Sequence, residues 1–514
     1  MKILLVYPQY PDTFWSFRYA LKFISKKASF PPLGLLTVAA MLPESWEKKL
    51  VDMNVSQLTD EDIRWADFVF IGAMVVQADS VKQVIKRCQN LGTKTVAGGP
   101  LFTTGYRRFR EVDHLVLGEA EVTLPLFIQD LAEGKPQRVY SSKARPEIWE
   151  TPIPLWSLIN KKQYSSMSLQ YSRGCPFNCE FCDIIILNGH RPRTKSGEQV
   201  IAELEALYNS GWRSGVFFVD DNFIGNKKKL KEEILPVVIE WQKDRKYPFA
   251  LSTEASINLA DDDALMQMMV AAGFDRVFVG IETPNEESLA ECDKAQNRNR
   301  DLVASVKKIQ NYGLEVQGGF IVGFDSDPLS IFKRQIDFIQ KSGIVTAMVG
   351  LLNAPPGTRL YQRLKKENRL LRAFTGDNND ISLNFIPKMN SAILINGYKH
   401  ILATIYSPKQ YYERVKAFLK EYRPSIKKNK LRSWEVAAFL RSIWVLGFRE
   451  KGRKYYWRLF LLTLMKYPRK LPISITMSVY GYHFRKVMEK YVKAPIGNSL
   501  GNGVIKKADN RRIA

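Results

Sequence analysis

Short apolar runs alternate with amphipathic stretches along the first 135 residues of the chain. Runs rich in Val, Ile, Leu and Phe are typical of parallel strands that are buried on both faces. Two stretches between them, "LGLLTVAAML" and "DSVKQVIKRCQNLG", have the spacing of helices. The alternation predicts a doubly wound α/β domain over residues 1–140. The strand runs are "KILLVYP", "KKLVDMN", "DFVFIGAMV", "KTVAGG" and "HLVLGE".

Glycines and a few polar or apolar residues stand where these predicted strands end. Ligands of doubly wound domains bind beyond the carboxyl ends of the strands, and glycine lets a backbone approach a ligand closely. The same glycines also suit tight turns, so taken alone they fit either interpretation. The residues at these ends are Pro8, Asn54, Met74, Gly98, Gly99 and Gly118.

A second series of strand runs follows a stretch rich in proline and polar residues, "GKPQRVYSSKARPEIWETPIPLW", which predicts a linker. We assign residues 141–163 to the linker and residues 164–368 to the second series. Six strand runs separated by helical patterns favour a curled, partly open (β/α)6 barrel over a closed barrel of eight. The runs are "SMSLQYSRG", "GVFFVDDN", "FALSTEAS", "RVFVGIET", "EVQGGFIVGF" and "VTAMVGLLN".

Polar residues cluster where the strands of this predicted barrel end. The rim at the carboxyl ends of barrel strands is where such folds bind their ligands. A run of polar endings on successive strands is hard to explain by packing alone. These residues are Asp220, Asp221, Asn222, Glu254, Ser256, Glu282, Asp325 and Asn353.

Three of the five cysteines fall in one loop, as Cys175-x3-Cys179-x2-Cys182, directly after a predicted strand. An odd total of five does not fit a secreted disulfide framework. The start of the chain reads as a buried strand and lacks the features of a signal peptide. These observations predict a reducing, cytoplasmic setting.

Three kinds of site are compatible with the cysteine loop. A structural zinc site needs a fourth ligand, for which His190 is near enough in sequence. A Cys-x2-Cys redox pair does not need Cys175. An iron–sulfur cluster held by three thiolates leaves one iron open for a substrate or cofactor, and it explains both the number of cysteines and their place at the barrel mouth.

The cysteine loop, with the aromatic Phe181 before its last cysteine, resembles that of the radical S-adenosylmethionine enzymes. The resemblance implies that Cys175, Cys179 and Cys182 ligate a 4Fe–4S cluster whose open iron is chelated by S-adenosylmethionine. It also implies that main chain around Phe181 faces the adenine. Neither Cys88 nor Cys292 has cysteine neighbours in the sequence, and both are interpreted as bystanders.

Other S-adenosylmethionine contacts are implied by position in the same family pattern. A carboxylate after the second or third barrel strand would bind the amino group, because charge-assisted hydrogen bonds are strong. Residues after the fourth strand would contact ribose and methionine, and glycines on the fifth would admit the adenine. Each carboxylate could instead form an ordinary salt bridge at the rim. The implied residues are Asp220, Asp221, Glu254, Gly280, Glu282 and Gly318.

The N-terminal domain, in front of such a barrel, resembles that of the cobalamin-binding radical enzymes. The matching segments are "FPPLGLLTVAAMLP", "AGGP" and "LGEAEVTLP", and the likeness extends through "NAPPGTRLYQRL". The branch that it resembles most includes hopanoid and bacteriochlorophyll side-chain methylases. The resemblance implies a Rossmann-like cobalamin-binding domain. The cobalamin contacts it implies are Pro32, Leu33, Gly34, Met74, Gly98, Gly99, Gly118 and Glu119.

One departure from that pattern concerns the cobalt ligand. Many cobalamin domains carry Asp-x-His-x-x-Gly after the first strand, and this chain has "YPQYPDTFW" there, without histidine. Either cobalamin binds without a protein nitrogen on its lower face, or the domain has lost cobalamin. His114 is the one histidine in residues 1–140, and a lone histidine is more often structural than a ligand.

RNA-modifying methylthiotransferases share the two-domain outline and are a rival hypothesis. They carry three further cysteines in the N-terminal domain for a second cluster. This chain has only Cys88 in that domain, which argues against them.

The C-terminal region, residues 369–514, is predicted to be helical and basic. The chain has a net charge of +24, and residues 401–514 hold 26 Lys and Arg against 6 Asp and Glu, a net of +20. Its apolar stretches are broken by Lys and Arg and are too short to span a bilayer. Its frequent Trp and Tyr suit a membrane interface. We therefore expect association with the anionic inner face of the cell membrane, the alternatives being a solvated helical cap and, less favoured, a nucleic-acid surface.

Together these observations predict an α/β enzyme with a cobalamin-binding domain, a radical S-adenosylmethionine barrel and a basic helical region. The expected reaction is cobalamin-dependent C-methylation of an unactivated carbon in a lipid, isoprenoid or tetrapyrrole-like substrate. Radical carbon–carbon coupling or cyclisation of a membrane lipid without cobalamin is the alternative. A flavodoxin or ferredoxin is the expected reductant. The residues give no signal for a dedicated general acid or base.

Overall fold

The computed structural model describes residues 1–424 and 433–493. Two compact units divide the chain. The first unit comprises residues 1–12, 25–176 and 184–252. The second unit comprises residues 13–24, 177–183 and the described residues from 253 onward.

Strands occur in both units and include every strand run expected from the sequence. Their bounds are β1 Lys2–Tyr7, β2 Glu47–Asp52, β3 Phe68–Gly72, β4 Lys94–Gly98, β5 His114–Val116, β6 Val139–Tyr140, β7 Ser166–Leu169, β8 Ser172–Arg173, β9 Arg193–Thr194, β10 Gly215–Phe218, β11 Ala250–Glu254, β12 Phe274–Glu282, β13 Glu315–Val322 and β14 Ala347–Leu351.

Helices separate most of the strands and dominate the C-terminal part of the chain. The α-helices are α1 Arg18–Leu21, α2 Leu33–Met41, α3 Asp60–Trp65, α4 Ala78–Asn90, α5 Pro100–Gly105, α6 Ala120–Ala132, α7 Ile184–Asn188, α8 Gly197–Asn209, α9 Lys227–Lys229, α10 Leu235–Asp244, α11 Asp263–Ala271, α12 Glu286–Glu291, α13 Leu302–Asn311, α14 Ile331–Ser342, α15 Arg359–Lys366, α16 Ser391–Ile405, α17 Pro408–Glu421, α18 Ser433–Ser442, α19 Arg453–Lys466 and α20 Leu471–Lys493.

Wider and tighter helical turns extend or connect these helices. The π-helical turns are Leu230–Ile234 and Ile443–Arg449. The 3-10 turns are Phe14–Ser16, Lys22–Ile24, Val75–Gln77, Tyr106–Arg108, Ile148–Glu150, Trp156–Leu158, Lys161–Gln163, Phe223–Asn226, Ile257–Asp261, Ala295–Asn297 and Pro468–Lys470.

The first sheet, in the first unit, has the strand order β2-β1-β3-β4-β5-β6. All of its pairings are parallel, as in Ile3 opposite Phe68 and Val96 opposite His114. Five of these strands match the predicted runs. The pattern does not reveal β6, which has only two residues and lies within the stretch that we interpreted as a linker.

Alternate residues of this sheet enter two separate cores, because successive side chains of a strand point to opposite faces. Leu4 and Val6 join the core that includes Val81 and Ile85 of α4. Ile3 and Leu5 join the core on the other face. Burial on both faces explains why the strand runs are continuously apolar instead of alternating.

The second series of strands begins in the first unit, where β7 and β10 pair in parallel with Met167 opposite Val216. In the second unit β12, β13 and β14 pair in parallel, with Val277 opposite Val316 and Phe320 opposite Val349. β11 is the sixth predicted strand of this series. The run "SMSLQYSRG" divides into β7 and β8, and β8 pairs antiparallel with β9. The predicted α/β fold with parallel sheets and a helical C-terminal region is thus confirmed.

The C-terminal helices of the second unit pack on β14 and α14. Tyr398 of α16 and Tyr406, which follows that helix, donate hydrogen bonds to the Val349 and Ala347 carbonyls, at 3.1 Å and 2.6 Å. Arg414 of α17 is 1% exposed and donates to the Ile405 carbonyl at 2.8 Å. The basic region is therefore an integral part of this unit and not an appended tail.

Residues 13–24 also belong to the second unit, where they pack on α20. The rings of Phe14 and Phe484 stack with centroids 4.2 Å apart. The Nε2 atom of His483 lies 2.9 Å from the Phe14 carbonyl oxygen. Residues 14–17, at the end of the "YPQYPDTFW" stretch and just after it, are thus held by the C-terminal helices of the same unit.

Substitution of Gly481 by alanine is expected to destabilise the second unit by about 1–3 kcal/mol, because overpacking a filled interior strains side chains and backbone. A Cβ atom at Gly481 of α20 would lie 2.7 Å from Cζ of Tyr411. That ring is fixed, since its hydroxyl donates to the Met477 carbonyl at 2.6 Å. Urea unfolding measures the loss. Gly34→Ala in α2 is the control, because a Cβ there meets nothing within 4 Å, and it should leave the midpoint unchanged or raised.

Candidate active site

The cysteine loop begins in the first unit with a tight turn at Gly174. Gly174 has φ of +100°, a conformation that side chains with a Cβ rarely adopt. A Cβ there would also lie 2.7 Å from the Arg191 carbonyl oxygen. The next residue, Cys175, donates its main-chain N–H to the Gly189 carbonyl at 3.2 Å. The position of the first thiol is therefore fixed by backbone geometry.

Asp220 and Asp221 follow β10 and hold the main chain that leads to Cys175. Asp220 accepts hydrogen bonds from the main-chain N–H groups of Tyr171, at 3.1 Å, and of Ser172. Asp221 accepts from the Gly174 N–H at 3.0 Å. Burial raises the pKa of Asp220 to about 7, against the hydrogen bonds from Ser172 and Tyr171 that lower it. Asp220 is 1% exposed, so its observed role is to position the loop.

A cluster of buried ion pairs in the first unit supports β8, the strand that ends at Arg173. Glu119 pairs with Arg173 at 2.9 Å and with Arg193 at 2.8 Å. Arg173 also pairs with Glu121 at 2.8 Å. The four side chains are between 4% and 14% exposed. Burial lowers the pKa of Arg173, but Glu121 and Glu119 raise it by more. Glu119, implied as a cobalamin contact, is thus a structural partner of the residue two positions before Cys175.

The remainder of the cysteine loop, residues 177–183, lies in the second unit. Its residue Glu180 accepts both arms of the Arg363 guanidinium, at 2.8 Å and 2.9 Å. The main-chain N–H of Glu180 donates to the Cys292 carbonyl at 2.9 Å, and the N–H of Cys182 donates to the Cys179 carbonyl at 3.2 Å. The segment is therefore anchored at Glu180, and a main-chain hydrogen bond closes the turn between Cys179 and Cys182.

Arg363 is itself held by a network of carboxylates in the second unit. It pairs with Asp325 at 3.0 Å and with Glu291 at 3.4 Å. Arg369 pairs with the same Asp325 at 2.6 Å. The hydrogen bonds that Arg363 donates to Glu180, together with the neighbouring carboxylates, raise the pKa of Arg363. A guanidinium whose fork geometry is satisfied in this way is a rigid support. No motif or spacing in the sequence indicates this role for Arg363.

Glu282 and Lys294 form a largely buried ion pair close to the cysteine segment. Their charged atoms are 2.7 Å apart, and the side chains are 9% and 12% exposed. Glu282 has φ of +62°, and the register of β12 with β13 shifts between Gly280 and Glu282. Irregular backbone of this kind commonly re-aims a side chain at a functional site.

Gly280 makes room for this pair, because a Cβ at that position would lie 2.9 Å from Nζ of Lys294. Lys294 lies 6.0 Å from the centroid of the Phe181 ring. Burial lowers the pKa of Lys294, but Glu282 and the thiols of Cys179 and Cys182 raise it by more. The structure therefore brings together Phe181, Gly280 and Glu282, three of the predicted residues, around a lysine that the sequence analysis missed.

Two further predicted residues of the second unit have other surroundings. Gly318 is packed inside the sheet, where a Cβ would lie 2.8 Å from Cε2 of Phe320. Glu254 ends β11 and is partly buried. Gln296, not predicted, points its amide nitrogen at the Cys179 sulfur from 3.8 Å.

The predicted cobalamin contacts stand at one edge of the first sheet, after the carboxyl ends of parallel strands or at the start of α2. Met74 follows β3 and is 54% exposed. Gly99 has φ of +90°, and a Cβ there would lie 3.1 Å from the Ala73 carbonyl oxygen. Around Gly118 a Cβ would meet nothing closer than 3.9 Å. Pro32, Leu33 and Gly34 open α2, and the edge leaves open space as well as close backbone turns.

Polar residues that the sequence analysis did not single out are buried at the same edge. Asp52 ends β2, is 2% exposed and accepts a hydrogen bond from the Tyr164 hydroxyl at 2.9 Å. Burial raises the pKa of Asp52, while hydrogen bonds from Asn54 and Tyr164 lower it by less. Burial and Asp52 also raise the pKa of Tyr7 and Tyr10.

The remaining candidates have ordinary structural positions. His114 lies within β5 with Nδ1 2.7 Å from the Gln137 carbonyl oxygen. Cys88 and Cys292 are buried at 0% and 1% exposure. His190 is exposed in the first unit.

Comparison with known proteins connects both parts of the site to one family. Residues 24–128 match the B12 binding domain, and residues 169–351 match the Radical SAM superfamily. The chain is 41% identical to the uncharacterized methyltransferase sll1242 of Synechocystis sp., over 97% of this chain and 94% of that protein. It is 33% identical to the hopanoid C-2 methylase of Rhodopseudomonas palustris, over 90% of each.

The chain belongs to the radical S-adenosylmethionine enzymes that carry a B12-binding domain. Its fold is similar to that of TsrM, a radical S-adenosylmethionine methyltransferase from Kitasatospora setae, with a TM-score of 0.62 over 95% of this chain and 99% of that one, at 14% identity. Residues 358–495 match a family described as a domain of unknown function, DUF4070.

As a member of this family the chain is an enzyme that uses a 4Fe–4S cluster, S-adenosylmethionine and cobalamin. The predictions of family and cofactors are confirmed. The individual contact residues remain predictions. No helix among the residues that the structure describes is both long enough and apolar enough to cross a membrane.

The donor chemistry of the chain fits the cluster. Cys175, Cys179 and Cys182 are not joined in disulfides, and thiolates are the usual ligands of iron–sulfur clusters. Lys294 places a positive charge near two of them. Across residues 1–424 and 433–493, no three His, Cys, Asp or Glu side chains are gathered closely enough to hold a single metal ion. The cysteines of a cluster, in contrast, bind different irons.

Proposed function

We propose that this radical S-adenosylmethionine enzyme methylates an unactivated carbon of a hydrophobic substrate with the help of cobalamin. The observation that carries the proposal is the presence, in one chain, of a fixed three-cysteine loop and a B12-binding domain. The relative named hopanoid C-2 methylase, similar over 90% of each chain, supports a lipid as the class of substrate.

When bound, the cluster and cobalamin supply one-electron cleavage of S-adenosylmethionine and carriage of a methyl group. The chain's part is to hold the reactants in place and to exclude water and stray hydrogen donors. Cys175, Cys179 and Cys182 hold the cluster. Asp220 and Asp221 position the strand before Cys175, and Arg363 positions the segment between the other two thiols.

We assign Lys294 to the carboxylate of S-adenosylmethionine and Glu282 to its amino group. The two charges are adjacent and opposite in sign, as are those of an amino acid. Both side chains are largely buried, which strengthens charge-assisted hydrogen bonds to a ligand. Main chain near Phe181, whose ring is close to Lys294, remains the proposed neighbour of the adenine.

Replacement of Lys294 by methionine is expected to weaken S-adenosylmethionine binding by about 10- to 100-fold, because a hydrogen bond to a charged group contributes about 1.5–3 kcal/mol. Equilibrium dialysis of the anaerobically reconstituted enzyme measures the dissociation constant. Lys294→Arg keeps the charge and should restore most of the affinity. Lys333→Met, at a lysine whose side chain is 82% exposed, is the matched control. Equal affinity in K294M and wild type would contradict the assignment.

For cobalamin we propose a site at the carboxyl edge of the first sheet, without a protein nitrogen on its lower face. The support is the open space around Gly34 and Gly118 and the exposed Met74. His114 is engaged within the sheet, and the loop after β1 has no histidine. The proposed contacts are Pro32, Leu33, Gly34, Met74, Gly98, Gly99 and Gly118, with Glu119 beside them as a structural residue.

The proposed partners are a flavodoxin or ferredoxin as reductant and the anionic inner face of the cell membrane as the place where the substrate is met. A radical S-adenosylmethionine enzyme needs an external electron donor. A substrate that dissolves in lipid is most easily reached from a bilayer surface.

Labelled methyl groups can test the proposal in cells. Cells that express the protein anaerobically, with cobalamin and methyl-deuterated methionine, are compared with cells that express Cys182→Ala. A lipid-soluble product that carries an intact labelled methyl group, present only with the unaltered chain, would support the proposal. Coupled or cyclised lipids without the label would contradict methylation, and labelled RNA without labelled lipid would contradict the hydrophobic substrate.

A further inference from the structure

Exposed apolar side chains are concentrated in one short part of the second unit. Among the described residues, 19 large apolar side chains are exposed, and eight of them lie between residues 434 and 465. Elsewhere they occur singly, which is ordinary for a protein surface. A concentrated patch marks a binding surface instead. The eight are Trp434, Val436, Leu440, Trp444, Phe448, Leu461, Leu464 and Met465.

Helical spacing places most of these residues in two rows. Val436, Leu440, Trp444 and Phe448 are four positions apart along α18 and the π-helical turn that continues it. Leu461 and Met465 are four positions apart on α19. Residues four apart lie on the same side of a helix. We call the eight exposed residues together the apolar face.

The two rows lie on segments that pack together. The indole N–H of Trp457 donates to the Gly447 carbonyl at 3.0 Å. Ring centroids of Trp457 and Phe448 are 6.1 Å apart. Tyr456 and Leu459 of the same helix are buried at 1% and 0% exposure, so α19 has an inner side as well as the exposed one.

The C-terminal helices that include the apolar face are rich in cations. Residues 433–493 contain 13 Lys and Arg against three Glu, a net of +10. One of the glutamates, Glu450, is paired with Lys486 at 3.6 Å. Lys454 and Arg458 are exposed on α19, at helical spacing from Leu461 and Met465. The surface therefore combines apolar and aromatic side chains with positive charge, the combination found in helices that lie in a membrane interface.

Charge decides between the possible occupants of this face. A second copy of the chain would bring two strongly positive surfaces together, which like-charge repulsion opposes. Anionic lipid offers the complementary charge and an apolar interior for the exposed side chains. No helix among the described residues is both long enough and apolar enough to cross a membrane. The geometry that fits α18 and α19 is therefore one in which they lie on the membrane surface.

We propose that the apolar face docks the enzyme onto an anionic phospholipid bilayer, with α18 and α19 lying in the headgroup region. This would give the family described as a domain of unknown function, which covers residues 358–495, a task in this chain. Docking would give the enzyme access to a lipid substrate, and in this respect it rests on the proposed function. Docking itself can be measured without turnover, so the two can fail separately.

Co-sedimentation of the full chain with vesicles tests the inference. Vesicles of phosphatidylcholine with about one third phosphatidylglycerol are expected to bind the protein at least tenfold more strongly than phosphatidylcholine alone, since each basic residue near the surface contributes about fivefold. The binding should weaken as salt is raised. No enrichment on anionic vesicles would overturn the proposal.

Variants locate the surface. Trp444→Ser and the double variant Lys454→Glu/Arg458→Glu should each reduce binding to anionic vesicles about tenfold or more. Leu329→Ser, at an apolar residue that is 66% exposed in the same unit, and Lys86→Glu on α4 are the matched controls and should bind like wild type. Equal losses in variants and controls, or none in either, would show that docking uses another surface and would overturn the proposal.

A conservative variant excludes a folding defect and a dimer. Trp444→Phe should retain binding, but brominated phosphatidylglycerol should quench a smaller share of its tryptophan fluorescence than in wild type. Sedimentation velocity without lipid should show no dimer that is present in wild type and lost in Trp444→Ser. A dimer with that behaviour, or quenching unaffected by Trp444→Phe, would assign the apolar face to another occupant and contradict the inference.

Discussion

Replacement of Cys179 by alanine is expected to remove the iron–sulfur cluster and reduce turnover to background. With two thiolates left, the loop has lost one of the three ligands that the family pattern supplies. Cys179 is 8% exposed and its sulfur faces Gln296 and Lys294, so a solvent molecule has little access to replace it. Iron analysis and the visible spectrum after anaerobic reconstitution should show far less than the about four irons per chain of the unaltered protein.

Cys292→Ala is the matched control for that experiment. Cys292 is a buried cysteine in the same unit, and its carbonyl, not its thiol, holds the loop at Glu180. Burial raises the pKa of the Cys292 thiol, and the neighbouring Glu282 raises it further. We expect C292A to keep its iron. Loss of iron from C292A, or full iron in C179A, would contradict the assignment of the cluster ligands.

Substitution of Glu119 by glutamine is expected to destabilise the first unit by about 3–5 kcal/mol. Removing one partner of a buried ion pair leaves an uncompensated charge, and here two arginines, Arg173 and Arg193, would lose a carboxylate within 2.9 Å. The glutamine amide is neutral and keeps the shape of the side chain. Urea unfolding monitored by circular dichroism measures the loss.

The same variant should also disturb the cluster loop, because Arg173 stands two positions before Cys175. Asp79→Asn is the control for stability. Asp79 pairs with Lys82 at 3.1 Å, but the two side chains are 93% and 67% exposed, and exposed pairs contribute about 0–1 kcal/mol. If E119Q and D79N unfolded at the same urea concentration, the buried cluster would not have the supporting role that we give it.

The sequence was sufficient to predict the fold class because its signals are local. Continuous apolar runs such as "DFVFIG" become β3, since burial on both faces requires apolar residues at every position. The three cysteines lie close together in the sequence, so their number and their place after a predicted strand favoured a cluster, and the family resemblance implied it. The two-residue strand β6 could not be found in this way, because its pairing with β5 and not its composition makes it a strand.

The residues that support the site could not be predicted from the sequence, because their contacts are with residues far away along the chain. Lys294 is an unremarkable lysine in a polar stretch until the bulge and the positive φ at Glu282 aim the carboxylate at it. Arg363 lies 183 positions from the Glu180 that it holds. The resemblance implied Asp220 as a contact of S-adenosylmethionine, and the hydrogen bonds that its side chain accepts from the main chain of Tyr171 and Ser172 are not visible in the sequence. The spacing of these residues in the sequence does not reveal any of these contacts.

The absence of the histidine motif after β1 can be related to the packing of the residues that follow. The segment after β1 supplies Phe14 and Phe17, whose rings contact Phe484 and His483 of α20. The part of this segment that lies in the second unit is thus engaged in packing, and it contains no histidine. This favours a cobalamin held by the sheet edge alone, and it makes cobalt content the decisive quantity.

Joint iron and cobalt analysis tests directly whether the protein uses both an iron–sulfur cluster and cobalamin. The protein is purified anaerobically from cobalamin-replete cells and reconstituted before the analysis. We expect about four irons and about one cobalt per chain, with visible bands of both cofactors. Iron without cobalt would contradict cobalamin-dependent methylation and turn attention to radical coupling or cyclisation of a lipid. Little iron under strict anaerobic handling would contradict the assignment of Cys175, Cys179 and Cys182 as cluster ligands.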